Sequence, residues 1–294
     1  MSSLNEIKEQ KIVVKSVGDF ADSLQQIAAG RMAKLRRMVE AARKFVQEAT
    51  IILKELELER AKKLEQELGI RKSELDPTSK YRPPAELNTA IIVVTSDQGL
   101  CGSYNTDILK KVDTVIPEHK HADYFVIGKK GQEAFNKLAR NHNLKFFPYN
   151  IPEEVNIEDL RPIINMFYHY DQIFLIYSKY INAATREVVF VELSIPNIQL
   201  EEIKKETVEG KYIFEPSVDD LIQTLTAKLR YALFRQQILD SKLSLYTAQM
   251  MAMKTASDNA VDLLKDLKLQ YNKARRKLID KKIQEVQAGR ALWD

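Results

Sequence analysis

Residues 243–257, LSLYTAQMMAMKTAS, contain a single charged side chain, Lys254. They belong to a C-terminal segment, 217–294, that has no proline and is rich in helix-forming residues. A soluble helix normally keeps a charged face toward water. The stretch therefore predicts a long helix that other protein surrounds over part of its length.

The C-terminal segment carries a sustained apolar repeat. Alternating spacings of three and four residues from Leu225 to Leu278 define 16 positions, and 14 of these positions hold apolar residues. A period of 3.5 residues held for so long is typical of a coiled coil. Ser217, with Asp220 three residues later, is a plausible N-cap, and a helix from there to Asp294 would be roughly 117 Å long. The predicted positions are Leu225, Leu229, Ala232, Gln236, Leu239, Leu243, Tyr246, Met250, Met253, Ser257, Ala260, Leu264, Leu267, Tyr271, Ala274 and Leu278.

The N-terminal segment supplies a matching stripe, in which Arg31 is the sole polar position. Its members are Val14, Val17, Ala21, Leu24, Ala28, Arg31, Leu35, Met38, Ala42, Phe45, Ala49, Ile52 and Leu56. Small residues recur in both stripes, so two helix backbones can approach closely. We expect the terminal helices to pair as an antiparallel coiled coil.

All nine prolines lie between Pro77 and Pro216, where short β-rich runs alternate with helical patterns. Strands are predicted at 89–97, 122–128, 144–150, 171–180 and 186–195, the last two as a hairpin, with helices at 129–142 and 156–170. The predicted fold class is α/β plus coiled coil, with a central Rossmann-like α/β domain. The expected domains are an N-terminal coiled-coil helix at 1–76, the α/β domain at 77–210 and a C-terminal coiled-coil helix at 211–294.

Composition excludes several classes of protein. Lys plus Arg number 45 against 41 Asp plus Glu, which gives little bulk attraction for nucleic acid. One cysteine, Cys101, excludes an internal disulfide and a multi-cysteine metal site. The first residues contain no apolar signal region. The sequence also lacks a run of about 18 apolar residues, so no membrane span is predicted.

A nucleotide site is conceivable at the first strand-to-helix turn, SDQGLCGSYNTD, residues 96–107. The spacing of Gly99 and Gly102 fits neither a dinucleotide fingerprint nor a P-loop, and no lysine follows. The better interpretation is a structural turn in which Asp97 acts as a cap. Structural roles are also expected for Cys101 and for the scattered histidines, so no catalytic, cofactor-binding or metal-binding residue is predicted. These histidines are His119, His121, His142 and His169.

Three motifs give the chain a resemblance to a known family. TSDQGLCGSYNTDI (95–108), YIFEPS (212–217) and AQMMAMKTASDNAVDLLKDLKLQYNKAR (248–275) resemble the gamma subunits of rotary F-type ATP synthases. The resemblance implies a non-catalytic rotor shaft that couples rotation of the c-ring to the catalytic beta subunits. Expected partners are three alpha and three beta subunits, an epsilon subunit and the membrane c-ring. The implied location is peripheral, on the cytoplasmic face of a bacterial inner membrane.

The resemblance also assigns residues to contacts. Arg275 matches the arginine that meets acidic loops of the beta subunits, with Arg276 and Asp280 beside it. Tyr212, Phe214 and Glu215 would form the foot that faces the c-ring. A bearing region of flexible side chains would comprise Met250, Met251, Met253 and Met32.

Some features depart from the family pattern, and two alternatives stay open. Arg276 and Asp280 replace residues that are usually uncharged, and Arg290 interrupts a tip of small residues. The methionine-rich stretch could instead be the most buried part of the coiled coil. The whole chain could instead be a coiled-coil scaffold or tethering protein, or an α/β enzyme with helical arms.

Overall fold

The structure, a computed structural model, describes residues 4–68, 88–152, 155, 157–166, 169–194 and 217–290. The predicted domain boundaries at 76/77 and 210/211 lie outside these residues, as do the foot residues Tyr212, Phe214 and Glu215. The chain forms two compact units. The first comprises Met1–Arg31, Leu100–Gly102 and Tyr246–Asp294, and the second comprises Met32–Gly99 and Ser103–Leu245.

A long helix lies at each end of the described chain. Helix α1 is Leu4–Leu68, and helix α5 is Val218–Arg290. Ser217 is the N-cap of α5, as predicted: the Asp220 amide donates to Ser217 Oγ at 3.1 Å, and Ser217 Oγ donates to the Asp220 carboxylate at 2.6 Å. Asp219 and Asp220 place negative charge in the first turn, where it interacts favourably with the positive end of the helix dipole.

In chain order, the residues between the two long helices form an α/β domain. Its strands are β1 Thr89–Val94, β2 Asp123–Ile127, β3 Phe146–Tyr149, β4 Gln172–Tyr180 and β5 Arg186–Glu192. Its helices are α2 Tyr104–Val115, α3 Lys129–His142 and α4 Ile157–Met166. The sheet order is β3-β2-β1-β4-β5. All neighbours are parallel except β4 and β5, which form the predicted antiparallel hairpin. The predicted Rossmann-like arrangement is confirmed.

The central strand β1 is buried because helices cover a parallel sheet on both faces. Ala90 to Val93 are each at most 1% exposed. At the end of β1, Thr95 Oγ1 donates to the carbonyl of Ile127 at 2.7 Å and accepts from the Gly131 amide at 3.0 Å. Gly128, between them, has φ of 97°, and a Cβ there would lie 2.5 Å from the Thr95 carbonyl oxygen. Only glycine fits this close approach.

Both units pair α1 with α5 in antiparallel orientation. In the first unit, the Lys11 ammonium lies over the Tyr271 ring and the Arg31 guanidinium lies over the Tyr246 ring. In the second unit, Arg43 pairs with Asp240, and Arg60 pairs with Asp219. Residue numbers rise along one helix as they fall along the other in each unit. The predicted antiparallel pairing is therefore confirmed.

The predicted stripe of α5 is buried or half-buried at every position from Leu225 to Ala274, and only Leu278 is exposed. The stripe of α1 is partly wrong. Val17, Phe45 and Ile52 are 53%, 55% and 46% exposed. The buried and half-buried residues alternate by four and three from Ile7 to Leu56, as at Leu35, Val39, Ala42, Val46, Ala49, Leu53 and Leu56. The predicted stripe took the three-residue step first, so every second predicted position lies one residue before the buried one.

Candidate functional site on the terminal helices

The helices of the first unit approach closely at small residues. A Cβ built on Gly18 would lie 3.0 Å from the Cβ of Ala260, which is tighter than ordinary contact. Ala21 and Ala28 continue the same face of α1 and are 3% and 1% exposed. Small side chains at this face allow close packing along the pair.

The methionines predicted as a bearing region do not share one environment. Met253 is buried at 7% exposed, Met250 is half-buried, and Met251 is 41% exposed. Met32 is half-buried, but it belongs to the second unit. Successive positions on a helix point about 100° apart, so the three neighbouring methionines face the α1 contact, its edge and the exposed side. The burial of Met253 agrees with the coiled-coil interpretation, and the bearing region stays a prediction.

Large apolar side chains lie on the exposed side of the first unit. On α1 these are Ile12, Val13, Val17, Phe20 and Ile27, each more than half exposed. On α5, Val261, Leu263 and Leu269 are 49%, 47% and 60% exposed. Single exposed apolar residues are ordinary, but a concentration on one helix pair indicates a contact surface.

The end of α5 has no buried face. Every side chain from Arg275 to Ala288 is exposed. Ile279, Ile283 and Val286 form an apolar stripe at spacings of four and three, between 47% and 62% exposed. Arg275, Arg276 and Asp280 are exposed beside this stripe, and none of them forms an ion pair with a residue that the structure describes.

The turn after β1 is held by contacts within the protein. Asp97 Oδ1 accepts from the Lys129 amide at 3.2 Å, at the first residue of α3. Ser96 and Asn105 hydrogen bond to each other, with Asn105 Nδ2 donating to Ser96 Oγ at 2.7 Å. Asp97 therefore caps the start of α3 from the turn after β1. These contacts support the structural interpretation of 96–107.

A row of polar residues on α5 was not anticipated from the sequence. Asp240, Ser241 and Ser244 are at most 2% exposed. Ser241 Oγ lies 2.8 Å from the Tyr104 hydroxyl, Ser244 Oγ lies 2.7 Å from Ser178 Oγ, and Asp240 pairs with Arg43. The only sequence signal was polar residues beside apolar stripe positions in the middle of a long helix. This row joins α5 to α1, α2 and β4 within the second unit.

Burial raises the pKa of Asp240, while the charges of Arg43 and Lys179 and the hydrogen bond from Arg43 oppose that rise. Burial likewise raises the pKa of the neighbouring Tyr177 hydroxyl. In the described part of the chain, no group of three or more His, Cys, Asp or Glu side chains could hold a metal ion. The three polar residues of the row consequently have a structural role, because each of them contacts a partner within the protein.

These features define a class of protein: an α/β domain combined with an antiparallel pair of long terminal helices. The family model described as ATP synthase matches residues 3–291. The ATP synthase gamma chain of Flavobacterium johnsoniae is 32% identical, and the alignment covers 98% of both chains. The gamma chain of Streptococcus pyogenes serotype M3 is 33% identical, over 98% of this chain and 97% of its own. The protein belongs to the ATP synthase gamma chain family.

Solved structures share the fold. A chain of the central stalk and c-ring structure of the Tetrahymena thermophila mitochondrial ATP synthase has a TM-score of 0.56 and 23% identity, covering 81% of this chain and 99% of that one. A chain of the Euglena gracilis mitochondrial enzyme, in a structure of OSCP, F1 and c-ring, has a TM-score of 0.54 and 16% identity, covering 90% and 94%. At these identities the likeness concerns fold alone. Within the described part of the chain, no helix has both the length and the apolar character needed to cross a membrane.

Proposed function

We propose that this chain is the central rotor shaft of an F-type ATP synthase and couples rotation of a membrane c-ring to the conformations of three catalytic beta subunits. The observation that carries the proposal is the exposed apolar surface of the first unit, in a chain of this family. Ile279, Ile283 and Val286 lie on helix turns with no buried face. Burial of such side chains is favourable by about 1.5–3 kcal/mol each. A surrounding ring of alpha and beta subunits would supply that burial.

The surface suits a contact that has to move. From Leu243 to Ser257 the only charge is Lys254, so few directional ion pairs could hold the helix at one angle. Met251, which is 41% exposed, offers a flexible and polarizable side chain to any neighbour. Apolar contacts lose little energy when neighbours slide, because the hydrophobic effect is non-directional.

Asymmetry supplies the mechanism. A single chain inside a threefold ring presents a different side to each beta subunit, and differential contact biases each toward a different conformation. Turning the shaft by a third of a revolution exchanges these biases. The coupling is reciprocal, so nucleotide binding at the beta subunits also drives the shaft. Catalysis belongs to the beta subunits in this proposal, and the chain itself is non-catalytic.

Particular residues have particular roles in the proposal. Arg275 would contact acidic loops of the beta subunits, and Arg276 and Asp280, which are likewise exposed, would contact the beta subunits beside it. Exposed charge pairs contribute about 0.2–1 kcal/mol, which guides rotation without trapping it. Met250, Met251, Met253 and Met32 would form the bearing region, and Tyr212, Phe214 and Glu215 would contact the c-ring. An epsilon subunit completes the rotor, and the complex would lie on the cytoplasmic face of a bacterial inner membrane.

Reconstitution tests the proposal. Purified alpha and beta subunits from the same organism are mixed with this chain, and ATP hydrolysis is measured with and without it. We expect a stable complex and a large gain in turnover. The variant Ile279→Ser, Ile283→Ser, Val286→Ser should weaken the complex, because it removes the apolar stripe. Lys281→Ser, an exposed side chain on the same turns, is the matched control.

Two results would contradict the rotor. The first is no gain in complex formation or turnover on adding the chain. The second is a stable homodimer of the chain that ignores the alpha and beta subunits, which would favour the scaffold or tethering alternative. Nucleotide binding by the chain alone, near Gly99 and Gly102, would instead favour the α/β enzyme.

A further inference from the structure

A groove lies between α1 and α5 inside the second unit, with a volume of about 630 Å³. Helix α1 contributes Met38, Ala41, Ala42 and Phe45. Helix α5 contributes Lys228, Tyr231, Ala232 and Arg235. Each set has the spacing i, i+3, i+4, i+7, which places its members on one helix face. The two faces together form the walls and floor of the groove.

The groove is hollow because its centre is made of small residues. Ala41, Ala42 and Ala232 fill little space, while the longer side chains of Met38 and Phe45 lie at the ends of the α1 stripe. Phe45 is 55% exposed beside the buried Val46, so its ring is available to line the groove. The volume lies within the range of about 300–1,000 Å³ that is typical of small-ligand pockets.

The charges of the lining are all positive. Lys228 and Arg235 are the charged residues, and no carboxylate lines the groove. Neither cation forms an ion pair with a described residue, whereas Arg43, Lys54 and Arg60 in the same unit all do. The buried Nε of Arg235 has no hydrogen-bond acceptor, and the buried hydroxyl of Tyr231 has no partner. A buried donor without an acceptor is unfavourable, so a ligand that supplies an acceptor here is favoured.

The acids that act on Tyr231 belong to α4 and do not line the groove. Burial raises the pKa of Tyr231, and Glu158 and Asp159 raise it further, while Arg235 and Arg161 oppose them. Glu158 already accepts a hydrogen bond from Arg161 at 3.1 Å. The lining therefore carries the positive charges of Lys228 and Arg235.

We propose that this groove binds a single-chain amphiphilic carboxylate of the fatty-acid type. The carboxylate pairs with the Arg235 guanidinium, and Lys228 adds attraction along the same helix face. The alkyl chain lies over Ala42 and Met38 and is covered by Phe45. Such a ligand satisfies the unpaired cation and fills the apolar volume together, which a simple anion or a neutral alkane would not do. The inference does not depend on the rotor proposal.

Calorimetric titration of the full chain with dodecanoate, below its micelle concentration, tests the site. We expect one saturable site. Arg235→Gln should weaken binding about tenfold, the usual effect of losing one charged partner at a part-buried site. Arg230→Gln is the matched control: Arg230 is exposed on the same helix and is not in the lining, so binding should be unchanged. Dodecanol and dodecyltrimethylammonium, which share the chain and lack the carboxylate, should bind at least tenfold more weakly.

A second variant locates the alkyl chain. Ala42→Trp fills the groove and should abolish saturable binding, with circular dichroism to check that the helices remain. If that variant does not fold, the binding affinities of Arg235→Gln and Arg230→Gln are compared to decide whether the groove holds the carboxylate. Equal binding of all three head groups, an equal effect of the two arginine variants, or unsaturable uptake would each overturn the proposal. So would loss of the site on assembly with alpha and beta subunits, which would indicate a protein occupant.

Discussion

Arg43 Nη2 lies 2.6 Å from Asp240 Oδ1, and this contact joins residues 197 positions apart in the sequence. The Asp240 side chain is 3% exposed, whereas that of Arg43 is 42% exposed. A buried carboxylate needs a compensating charge, and Arg43 supplies it from the other long helix. The pair thus ties α1 to α5 within the second unit.

Removal of the Arg43 side chain should leave the buried Asp240 carboxylate without a charged partner. Arg43→Met is expected to lower the free energy of unfolding by about 1–3 kcal/mol at pH 7, because Asp240 loses its charged partner. Urea unfolding followed by circular dichroism measures it. The control is Arg36→Met, whose pair with Glu40 is more than 60% exposed on both sides and should matter by less than about 0.5 kcal/mol. Equal effects of the two variants would show that burial of Asp240 has no role.

The pair of Arg43 and Asp240 should also make the free energy of unfolding depend on pH. The pKa of Asp240 is raised above 3.8 by burial, so the folded state binds more protons than the unfolded state between 3.8 and the raised value. Folding therefore gains from protonation as the pH falls through this window. The destabilisation by Arg43→Met should shrink as the pH falls from 7 toward 4, since a neutral Asp240 needs no cation. A constant difference across this range would contradict the assignment.

The pH dependence of stability that Asp107 causes should have the opposite sign to that of Asp240. Burial opposes its ionisation, but hydrogen bonds from Ser103 and Arg186 and the charges of Arg186 and Lys110 outweigh burial and lower its pKa below 3.8. Its stabilising contribution is present above about pH 4 and is lost as the pH falls through the lowered value. Asp107→Asn should cost about 1 kcal/mol at pH 7 and progressively less below pH 3.8. Parallel unfolding curves of wild type and variant at several pH values measure this, and a penalty that grows on acidification would refute it.

Two glycines of α1 make a matched pair. Gly30 has no atom within 4 Å of a built Cβ, so Gly30→Ala should stabilise the chain by about 0.5–1 kcal/mol through helix propensity. At Gly18 a Cβ would lie 3.0 Å from Ala260, so Gly18→Ala should lose that gain. Gly18→Val should destabilise by about 1–3 kcal/mol. Thermal unfolding tests both, and Ala260→Gly should restore part of the loss. Equal stabilisation by both Gly→Ala variants would contradict close packing at Gly18.

Methionine oxidation can report what covers α5. In the free chain, dilute peroxide should oxidise Met251, at 41% exposed, several-fold faster than Met253, at 7% exposed. Assembly with alpha and beta subunits should slow oxidation of Met251, while Met166 on α4 serves as the internal reference. Tandem mass spectrometry resolves the three neighbouring methionines. An unchanged rate at Met251 in the complex would argue against enclosure of the bearing region.

The sequence was sufficient for most of the architecture. All five strands overlap their predicted runs, and α3 matches Lys129–His142, because alternation and glycine punctuation are strong local signals. The stripe of α5 was also predictable, since packing selects the same face for many turns. On α1 the predicted period was right but the order of its three- and four-residue steps was wrong, so burial falls on Val46 and Leu53 and not on Phe45 and Ile52.

Other features could not be anticipated because they depend on contacts between distant segments. The pairing of Asp240 with Arg43 and of Ser178 with Ser244 requires knowing which helix faces meet which strand. The groove at Ala41 and Ala42 arises from the volume that small residues leave when two particular stripes face each other. The proposed beta-subunit and c-ring contacts remain predictions that rest on the family pattern.

The antiparallel pairing also has a consequence for how the polypeptide is made. Residues near Lys11 leave the ribosome well before their partner Tyr271 is synthesised. Until α5 has been translated, Ile7, Ala21 and Ala28 lack the helix that covers them. A nascent chain with a long unsatisfied apolar stripe is prone to aggregate. Cellular production of this protein should therefore benefit from chaperones that hold the first helix until its late-emerging counterpart arrives.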